Sequence, residues 1–288
     1  MYDQITTVAE IDEVSMEIIA SIVQTELIQA SALAVTVGDY SQFAVQGANA
    51  AKIPNAGSFT VTKKQAGQKA LKQKLSFTGD QIPFTEHAVV QGLVEDIASI
   101  QANVPVVAEY LRRMASAHAL QVDVDLFAQI KLMSTQSYTT GSTPTKKDFT
   151  KARKVLREAN VPMDAQLYAV VNPTNEKEIM DLDDFVDADK WLSGSESAKL
   201  SGMFPGGVAG TGFIGRAYGF NIISTNVVPS SDNGIYFYHS SHAGIAFQLR
   251  PRIQEQYMLE HLGLLVSMDQ LYGVKVLDGG VRGIRIGA

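Results

Sequence analysis

The stretch from Asn103 to Met133 places the strongest constraint on the fold, because it reads as one long helix. Asn103 is suited to cap the N-terminus, and Pro105 falls in the first turn, where its missing N–H has no intrahelical partner. Apolar residues recur close to the helical period of 3.6 residues, and polar residues such as Asp123 occupy the remaining faces. About 28 residues at 1.5 Å each give a length of roughly 42 Å. Since a mean helix has about three turns, the sequence predicts a fold built around this helix.

Composition narrows the class of protein. The chain has 288 residues, of which 45% are hydrophobic and 19% charged, so it can bury a sizeable core. Its net charge of −6 gives no general attraction for nucleic acid. The absence of cysteine excludes disulfides, thiolate metal sites and cysteine nucleophiles. The N-terminus does not read as a signal peptide and no apolar run approaches the length of a membrane span, so we expect a soluble protein.

A basic stretch precedes the long helix. Residues 40–79 contain no Asp or Glu but six lysines, and they predict a β-hairpin with strands at 58–64 and 70–78. Such a polar hairpin does not belong in a core, and an isolated hairpin is marginally stable in water. We therefore expect it to lie on an acidic surface through Lys63, Lys64, Lys69, Lys72 and Lys74. The alternatives are a solvated loop and a single-stranded nucleic-acid groove, which needs more stacking aromatics than this hairpin offers.

The remaining segments predict helices first and mainly antiparallel strands later. Residues 7–37 form an amphipathic segment that needs a partner surface, either the protein's own core or a neighbouring subunit. A helix is predicted at 147–158 with Thr145 as its cap, then a buried strand ended by Pro173 and an acidic helical segment. Later strands are predicted at Ile235–Tyr238, Gly244–Leu249, Ile253–Glu260 and Leu262–Met268, with a closing hairpin or strand pair near the end. Without regular βαβ alternation, the fold class is predicted to be α+β.

The segment GTGFIG, Gly210–Gly215, matches the dinucleotide fingerprint G-x-G-x-x-G, in which a strand precedes the glycines and a helix follows. Here Pro205 and two glycines lie before the motif, and a β-rich run ending at Pro229 lies after it. We therefore interpret it as a structural glycine loop that leads into a strand. A nicotinamide-dependent oxidoreductase would rest on this motif alone. The loop glycines are Gly206, Gly207, Gly210, Gly212, Gly215 and Gly219.

Other patterns of reactive residues do not fit a site. The acidic run Asp181–Asp189 lacks the Gly and Glu positions of a calcium loop. His239 and His242 have no carboxylate at a spacing that would complete a metal site. No G-x-S-x-G marks a nucleophile. We expect no catalytic, cofactor-binding or metal residues, and a structural or binding protein that is not an enzyme.

The order of these segments resembles the major capsid protein of tailed bacteriophages with the HK97 fold. Residues 107–130 are similar to its spine helix. The end of that helix often reads Ala-x-x-x-Asp in the family, and Ala119 and Asp123 match this pattern. GFIGRAYGFNIISTNVVP is similar to a glycine, aliphatic and Asn-x-x-Pro segment of the family. IYFYHSSHAGIAFQLRP and EHLGLLVSMDQLYGVKVL are similar to its late strands.

The resemblance implies a division of the chain. An N-terminal arm would occupy residues 1–48, and the hairpin, called the E-loop in this family, residues 49–85. The P-domain with its spine helix would occupy 86–164 and a mixed α/β A-domain 165–240. Residues 241–288 would return through the P-domain and add a closing strand to the A-domain.

The resemblance also implies a function: self-assembly into an icosahedral shell around the double-stranded DNA of a tailed phage. The protein would form hexamers and pentamers and could bind scaffolding, portal and decoration proteins. It would contact the packaged DNA weakly and would bind no membrane. It would be assembled in the host cytoplasm and reside in the virion. The main alternative is an encapsulin-type cellular compartment, which shares this fold. Acidic partners for the E-loop lysines on a neighbouring subunit would be Glu95, Asp96, Glu109, Asp181, Asp183, Asp184, Asp187 and Asp189.

Overall fold

The computed structural model describes residues 31–45, 47–56, 61–67, 69, 72–74, 77–96, 106–137, 143–164, 166–182 and 212–287. The described helices are α1 (Val106–Ile130), α2 (Lys146–Glu158) and α3 (Pro173–Met180). The described strands are β1 (Gly38–Asp39), β2 (Ala50–Ala56), β3 (Phe77–Pro83), β4 (Glu86–Glu95), β5 (Thr135–Ser137), β6 (Leu167–Val171), β7 (Phe213–Ala217), β8 (Phe220–Ser224), β9 (Ile235–His239), β10 (Ala243–Met258), β11 (Gly263–Val276) and β12 (Gly283–Ile286). None of the described helices is long and apolar enough to span a membrane.

Helix α1 confirms the predicted long helix, although it ends at Ile130 rather than Met133. The predicted cap Asn103 and Pro105 lie outside the described residues. One face of α1 is buried along its length, as the period of 3.6 residues predicts. Part of the expected pattern is wrong. Asp123, assigned to a polar face, is buried. The expected apolar face includes Tyr110, Leu120 and Val124, which are 39%, 58% and 43% exposed.

A sheet of six described strands, in the order β5-β12-β9-β6-β8-β7, is covered on both faces. Alternate side chains of its strands point to opposite sides. Tyr168 and Val170 of β6 face the C-terminal half of α1, and Ala169 and Val171 face α2 and α3. The expected A-domain begins at residue 165, but α2 packs with this sheet as well.

A second sheet has four described strands in the order β1-β10-β11-β4. The N-terminal half of α1 packs on it through Leu111 and Met114, which contact Val266 and Met268 of β11. The two strands predicted at 244–249 and 253–260 form the single strand β10, because register shifts accommodate the segment around Pro251. Of the predicted closing hairpin or strand pair, the hairpin is wrong: β11 ends in this sheet, and β12 pairs with β5 and β9 in the other.

The predicted hairpin has its paired strands nearer its base than expected. Strands β2 and β3 pair antiparallel over 50–56 and 77–83, and the described residues 61–67 form no strand. Packing gives the reason. Ala51 and Ile82 are buried against Ala246 and Leu277, so the base of the hairpin joins the core. Further out, Val61 is 91% exposed and has no core to join.

The local signals for α2 and β6 are confirmed, and the predicted acidic helical segment is confirmed over α3, which ends at Met180. Thr145 and Asp148 form a reciprocal capping box at the start of α2. All five residues of β6 are buried, and the strand ends before Asn172. The Asn172 side chain accepts a hydrogen bond from the Asn175 N–H at 2.7 Å, which caps α3.

Candidate assembly surfaces

Asp123 joins the N-terminal part of the described chain to the long helix. Its Oδ1 accepts a hydrogen bond from Ser31 Oγ at 2.5 Å and from the Leu33 N–H at 3.1 Å. Its Oδ2 accepts one from the Ala32 N–H at 2.9 Å. Burial raises the pKa of Asp123, while the surrounding donors oppose that rise. The carboxylate therefore replaces its lost hydration with three donors from a segment distant in sequence.

The segment after Ser31 belongs to the subunit's own core. Leu33 is fully buried with Val122 and Leu126 of α1. The Thr36 and Tyr238 hydroxyl oxygens lie 2.6 Å apart. The large apolar face of the N-terminal segment predicts that residues 1–35 pack largely on other subunits. For residues 31–35 this prediction is wrong, because they pack on α1 of the same subunit. Residues 1–30 lie outside the described part of the chain.

The five lysines of the predicted hairpin are all exposed. The base of their loop is held by β2 and β3 and by Gln248, whose Nε2 donates to the Ala48 carbonyl at 2.8 Å. A loop fixed at its base and exposed beyond it can reach a second molecule. The five lysines lie between β2 and β3: Lys63, Lys64, Lys69, Lys72 and Lys74.

The candidate acidic partners lie on different parts of the molecule. Glu95 ends β4, and Asp96 accepts a hydrogen bond from the Tyr257 hydroxyl at 2.7 Å. Glu109 forms an exposed ion pair with Arg113 of the same helix at 2.9 Å. Asp181 is the exposed C-cap of α3. Asp183, Asp184, Asp187 and Asp189 lie outside the described residues.

The connection between β10 and β11 exposes two large apolar side chains. Leu259 is 78% exposed and Leu262 is 61% exposed. Leu262 also has a positive φ of 43°, which is uncommon for a residue with a side chain. Exposed leucines at the end of two long paired strands are suited to contact another protein surface. Sequence reasoning missed this surface because it placed both residues within or beside strands.

The glycine segment leads into a strand pair. Gly212 has a φ of 80° and precedes β7, which pairs antiparallel with β8 through a bulge near Gly215. Gly219 has a φ of 89° in the turn between these strands. A strand, not a helix, therefore follows the motif, so its geometry differs from a dinucleotide site. Gly206, Gly207 and Gly210 lie outside the described residues.

Hydrogen bonds link Asp164 to His239 and His239 to Ser241, the three residue types of a hydrolytic triad. His239 Nδ1 is 2.7 Å from Ser241 Oγ, and Nε2 is 3.2 Å from Asp164 Oδ1. Nδ1 also accepts from the Ser241 N–H, and Arg282 donates to Ser241 Oγ at 2.6 Å. These bonds cap and close the short helical turn between β9 and β10.

The described residues hold no group of three or more His, Asp or Glu side chains that could hold a metal.

Two buried histidines connect α1 to the sheets beneath it. His118 Nε2 donates to the Met268 carbonyl at 3.2 Å, and His242 Nε2 donates to the Ile130 carbonyl at 3.0 Å. Burial lowers the pKa of both imidazoles. Folding therefore favours the neutral form of both side chains.

The subunit should lose stability as the pH falls below about 6.5, the ordinary pKa of histidine. The sign follows from the lowered pKa values, because the unfolded chain then binds protons that the folded chain excludes. The free energy of unfolding should be measured from urea titrations between pH 7.5 and 5. His242→Gln should reduce the slope, because Gln does not titrate there. His261→Gln, at an exposed position, should leave it unchanged; equal slopes for all three proteins would contradict the prediction.

The chain is similar to one protein family and to several solved structures. Residues 70–284 match a family model described as phage capsid protein. No curated protein sequence matches the chain. A structure of Mycobacterium phage Che8 is 26% identical, with a TM-score of 0.60 over 89% of this chain and 90% of that chain.

Two more distant structures share the fold. The capsid structure of cyanophage P-SCSP1u is 14% identical, with a TM-score of 0.64 over 88% of this chain and 86% of that one. A virus-like particle from Pyrococcus furiosus is 9% identical, with a TM-score of 0.59 over 94% and 99%.

Proposed function

This chain belongs to the phage capsid protein family and is a major capsid protein with an HK97-like α+β fold, and we propose that its copies form the hexamers and pentamers of an icosahedral shell around double-stranded DNA. The family match over residues 70–284 carries this assignment. The protein is a structural component of the virion. We propose further that it has no enzymatic activity and is assembled in the host cytoplasm with scaffolding, portal and decoration proteins.

The proposed shell can be tested with the purified protein and with particles from infected or expressing cells. Negative-stain micrographs should show closed, uniform particles. Nuclease-protected double-stranded DNA inside particles from infected cells supports the phage shell. An encapsulin-type compartment would instead enclose a protein and no genome. A protein that remains monomeric at all concentrations and salts would contradict the assembly function.

We propose that the E-loop bridges neighbouring subunits and that residues 1–30 of the expected arm contact other copies. The exposure of the loop lysines and the fixed base formed by β2 and β3 support the first point. The domain division at 1–48, 49–85, 86–164, 165–240 and 241–288 remains part of this proposal. The packing of α2 on the six-stranded sheet favours counting α2 with the A-domain.

Changing Lys63, Lys64, Lys69, Lys72 and Lys74 together to Gln should lower the stability of the shell without unfolding the subunit. Each exposed ion pair contributes only about 0–1 kcal/mol, so the effect arises through repetition around the shell. It should weaken with salt, because charges are screened over about 8 Å at physiological ionic strength. The measurement is the disassembly midpoint at low and high salt, beside the circular dichroism of the subunit.

A control variant with Lys131→Gln and Lys177→Gln removes exposed positive charges outside the loop. It should keep a midpoint close to that of the unmodified shell. If the loop variant also keeps the unmodified midpoint at both salts, the E-loop is a solvated loop and does not bridge subunits.

A further inference from the structure

Strand β4 lies at one end of the four-stranded sheet, and in the described part of the chain its only strand partner is β11. Residues 88–94 within this strand read AVVQGLV and contain no charge and no proline. The outer edge of such a strand presents backbone N–H and C=O groups that another strand can join, and soluble proteins usually block these edges with charges, proline or a covering segment. The outer edge of β4 is therefore suited to accept a strand from another chain.

The opposite side of the same sheet is protected. Strand β1 pairs with β10 only at Gly244 and Ile245. Beyond these two residues, β10 carries charges and a proline that discourage further pairing: Arg250, Pro251, Arg252 and Glu255. Of the two sides of the sheet, the β4 side is thus the one open to a further strand.

Residues 61–64 of the E-loop, Val-Thr-Lys-Lys, have the composition of a strand but do not form one in the subunit. The β-branched side chains of Val61 and Thr62 favour extended structure, and the sequence predicts a strand here. In the structure, residues 61–67 are exposed and lie outside any strand, and Val61 is 91% exposed. An extended segment of this kind can form its strand by pairing with the sheet edge of a second molecule.

An acidic groove lies between the first residues of β4 and helix α1. It has a volume of about 390 Å³, and its described lining contains no lysine or arginine. Glu86 and Asp125 line this groove. Asp125 accepts hydrogen bonds from Gln121 Nε2 at 3.0 Å and from the Tyr272 hydroxyl at 2.5 Å, and neither of these neutral donors offsets its charge. Two carboxylates in one groove attract a lysine ammonium.

We propose that residues 61–64 of an adjacent copy add to the outer edge of β4 as an antiparallel strand, with Lys63 in the acidic groove beside Glu86. The proposal rests on the proposed bridging of subunits by the E-loop. Alternate residues of a strand face the same side, so Val61 shares a side with Lys63, and Ala88 shares the α1 side of β4 with Glu86. The antiparallel direction places Lys63 beside Glu86 and Val61 beside Ala88, whereas in the parallel direction Val61 would lie before the start of β4.

Pairing of β4 with β4 of a second copy is disfavoured by charge. In full antiparallel register, Glu86 of each copy would lie opposite Glu95 of the other. Like charges directly opposite each other in a sheet are destabilising. The E-loop segment instead brings lysines to this edge, so it is the better partner for β4.

Paired cysteines test the proposed register, because the chain has no cysteine of its own. Opposite Cα atoms in an antiparallel pair lie about 4.5–5.5 Å apart, within the range of a disulfide. Particles of a Val61→Cys and Ala88→Cys variant, once oxidised, should therefore give ladders of covalent oligomers on non-reducing gels. The matched control, Val61→Cys with Gln91→Cys, should give few, because its second thiol lies about 10 Å further along β4 and on the opposite face.

Three results of this experiment would overturn the proposal. The first is equal ladders from the variant and its control. The second is a disulfide confined to single chains, which would leave the mass of a monomer. The third is a trapped dimer from an Ala88→Cys and Leu93→Cys variant, because these residues lie opposite each other when β4 pairs with β4.

Charge exchange gives a second measurement that does not depend on the cysteine variants assembling. Lys63→Glu and Glu86→Lys, each alone, should lower the disassembly midpoint of the shell at low salt, where charges are least screened. The two changes together should restore most of the loss. Lys74→Glu together with Glu86→Lys is the control and should restore nothing. A Lys63 and Glu86 double variant no better than its parents, or an equal recovery in the control, would contradict the proposed pair.

Failure of this proposal can be distinguished from failure of the proposed function. If the unmodified protein forms no particles, the assembly function fails and the strand addition fails with it. If particles form and are weakened by the loss of all five E-loop lysines, but the Val61 and Ala88 cysteines give no ladders, the E-loop bridges subunits in another way and the strand addition alone is rejected.

Discussion

Asp123→Ala should lower the free energy of unfolding of the subunit by about 3 kcal/mol or more. The change removes a buried acceptor and leaves the backbone N–H groups of Ala32 and Leu33 without their partner. Unsatisfied buried donors cost about 1–3 kcal/mol each. Urea unfolding monitored by circular dichroism gives the free energy, and limited proteolysis should show faster cleavage near residue 31.

Glu109→Ala is the matched control, because it removes a carboxylate from an exposed face of the same helix. Its exposed pair with Arg113 should contribute less than about 1 kcal/mol. If the two variants lose similar stability, or if Asp123→Ala leaves proteolysis near residue 31 unchanged, Asp123 does not anchor this segment.

Gly212→Ala should also lower the free energy of unfolding, by about 2–5 kcal/mol, or prevent the subunit from folding. Gly212 has a φ of 80°, and a Cβ at this position would overlap the carbonyl oxygen of Ser224. The left-handed conformation costs an L residue about 1–2 kcal/mol, and overpacking adds about 1–3 kcal/mol. The measurements are the yield of soluble subunit and its thermal unfolding.

Gly47→Ala separates the two contributions. Gly47 has nearly the same backbone, with a φ of 82°, but a Cβ there would meet open space. The free energy of unfolding of Gly47→Ala should therefore fall only by the conformational cost, about 1–2 kcal/mol. Equal losses for the two variants would exclude the steric contact with Ser224. Saturable binding of NADH by the unmodified protein, abolished in Gly212→Ala, would show instead that the glycines form a dinucleotide site.

Local patterns were sufficient to predict several elements. The apolar period of α1 and the Thr145 cap of α2 appear in the sequence because each depends on residues within a few turns. The fully buried strand β6 was predicted from its apolar run and the proline that follows. The failure of the glycine motif as a dinucleotide site was also predicted from adjacent residues alone.

Features that depend on distant residues could not be predicted in this way. Asp123 is 92 residues from Ser31, so its burial cannot be inferred from a helical pattern that assigns aspartate to the solvent. A helical projection does place Asp123 beside Ala119 and Val122. An aspartate among apolar residues on one helix face is the signal from which its burial could have been predicted. The limits of the hairpin strands likewise depend on Ala246 and Leu277, which follow them by well over a hundred residues.

The position of β12 has a consequence for biosynthesis. This strand is formed by residues 283–286, yet it lies between β5 and β9 and not at an edge of the six-stranded sheet. A chain leaves the ribosome from its N-terminal side. Until residues 283–286 have emerged, β9 has an unpaired edge and Ile284 is missing from the core. The nascent chain therefore cannot complete this sheet early, and we expect subunits to become competent for association only after nearly all of this sequence has been translated.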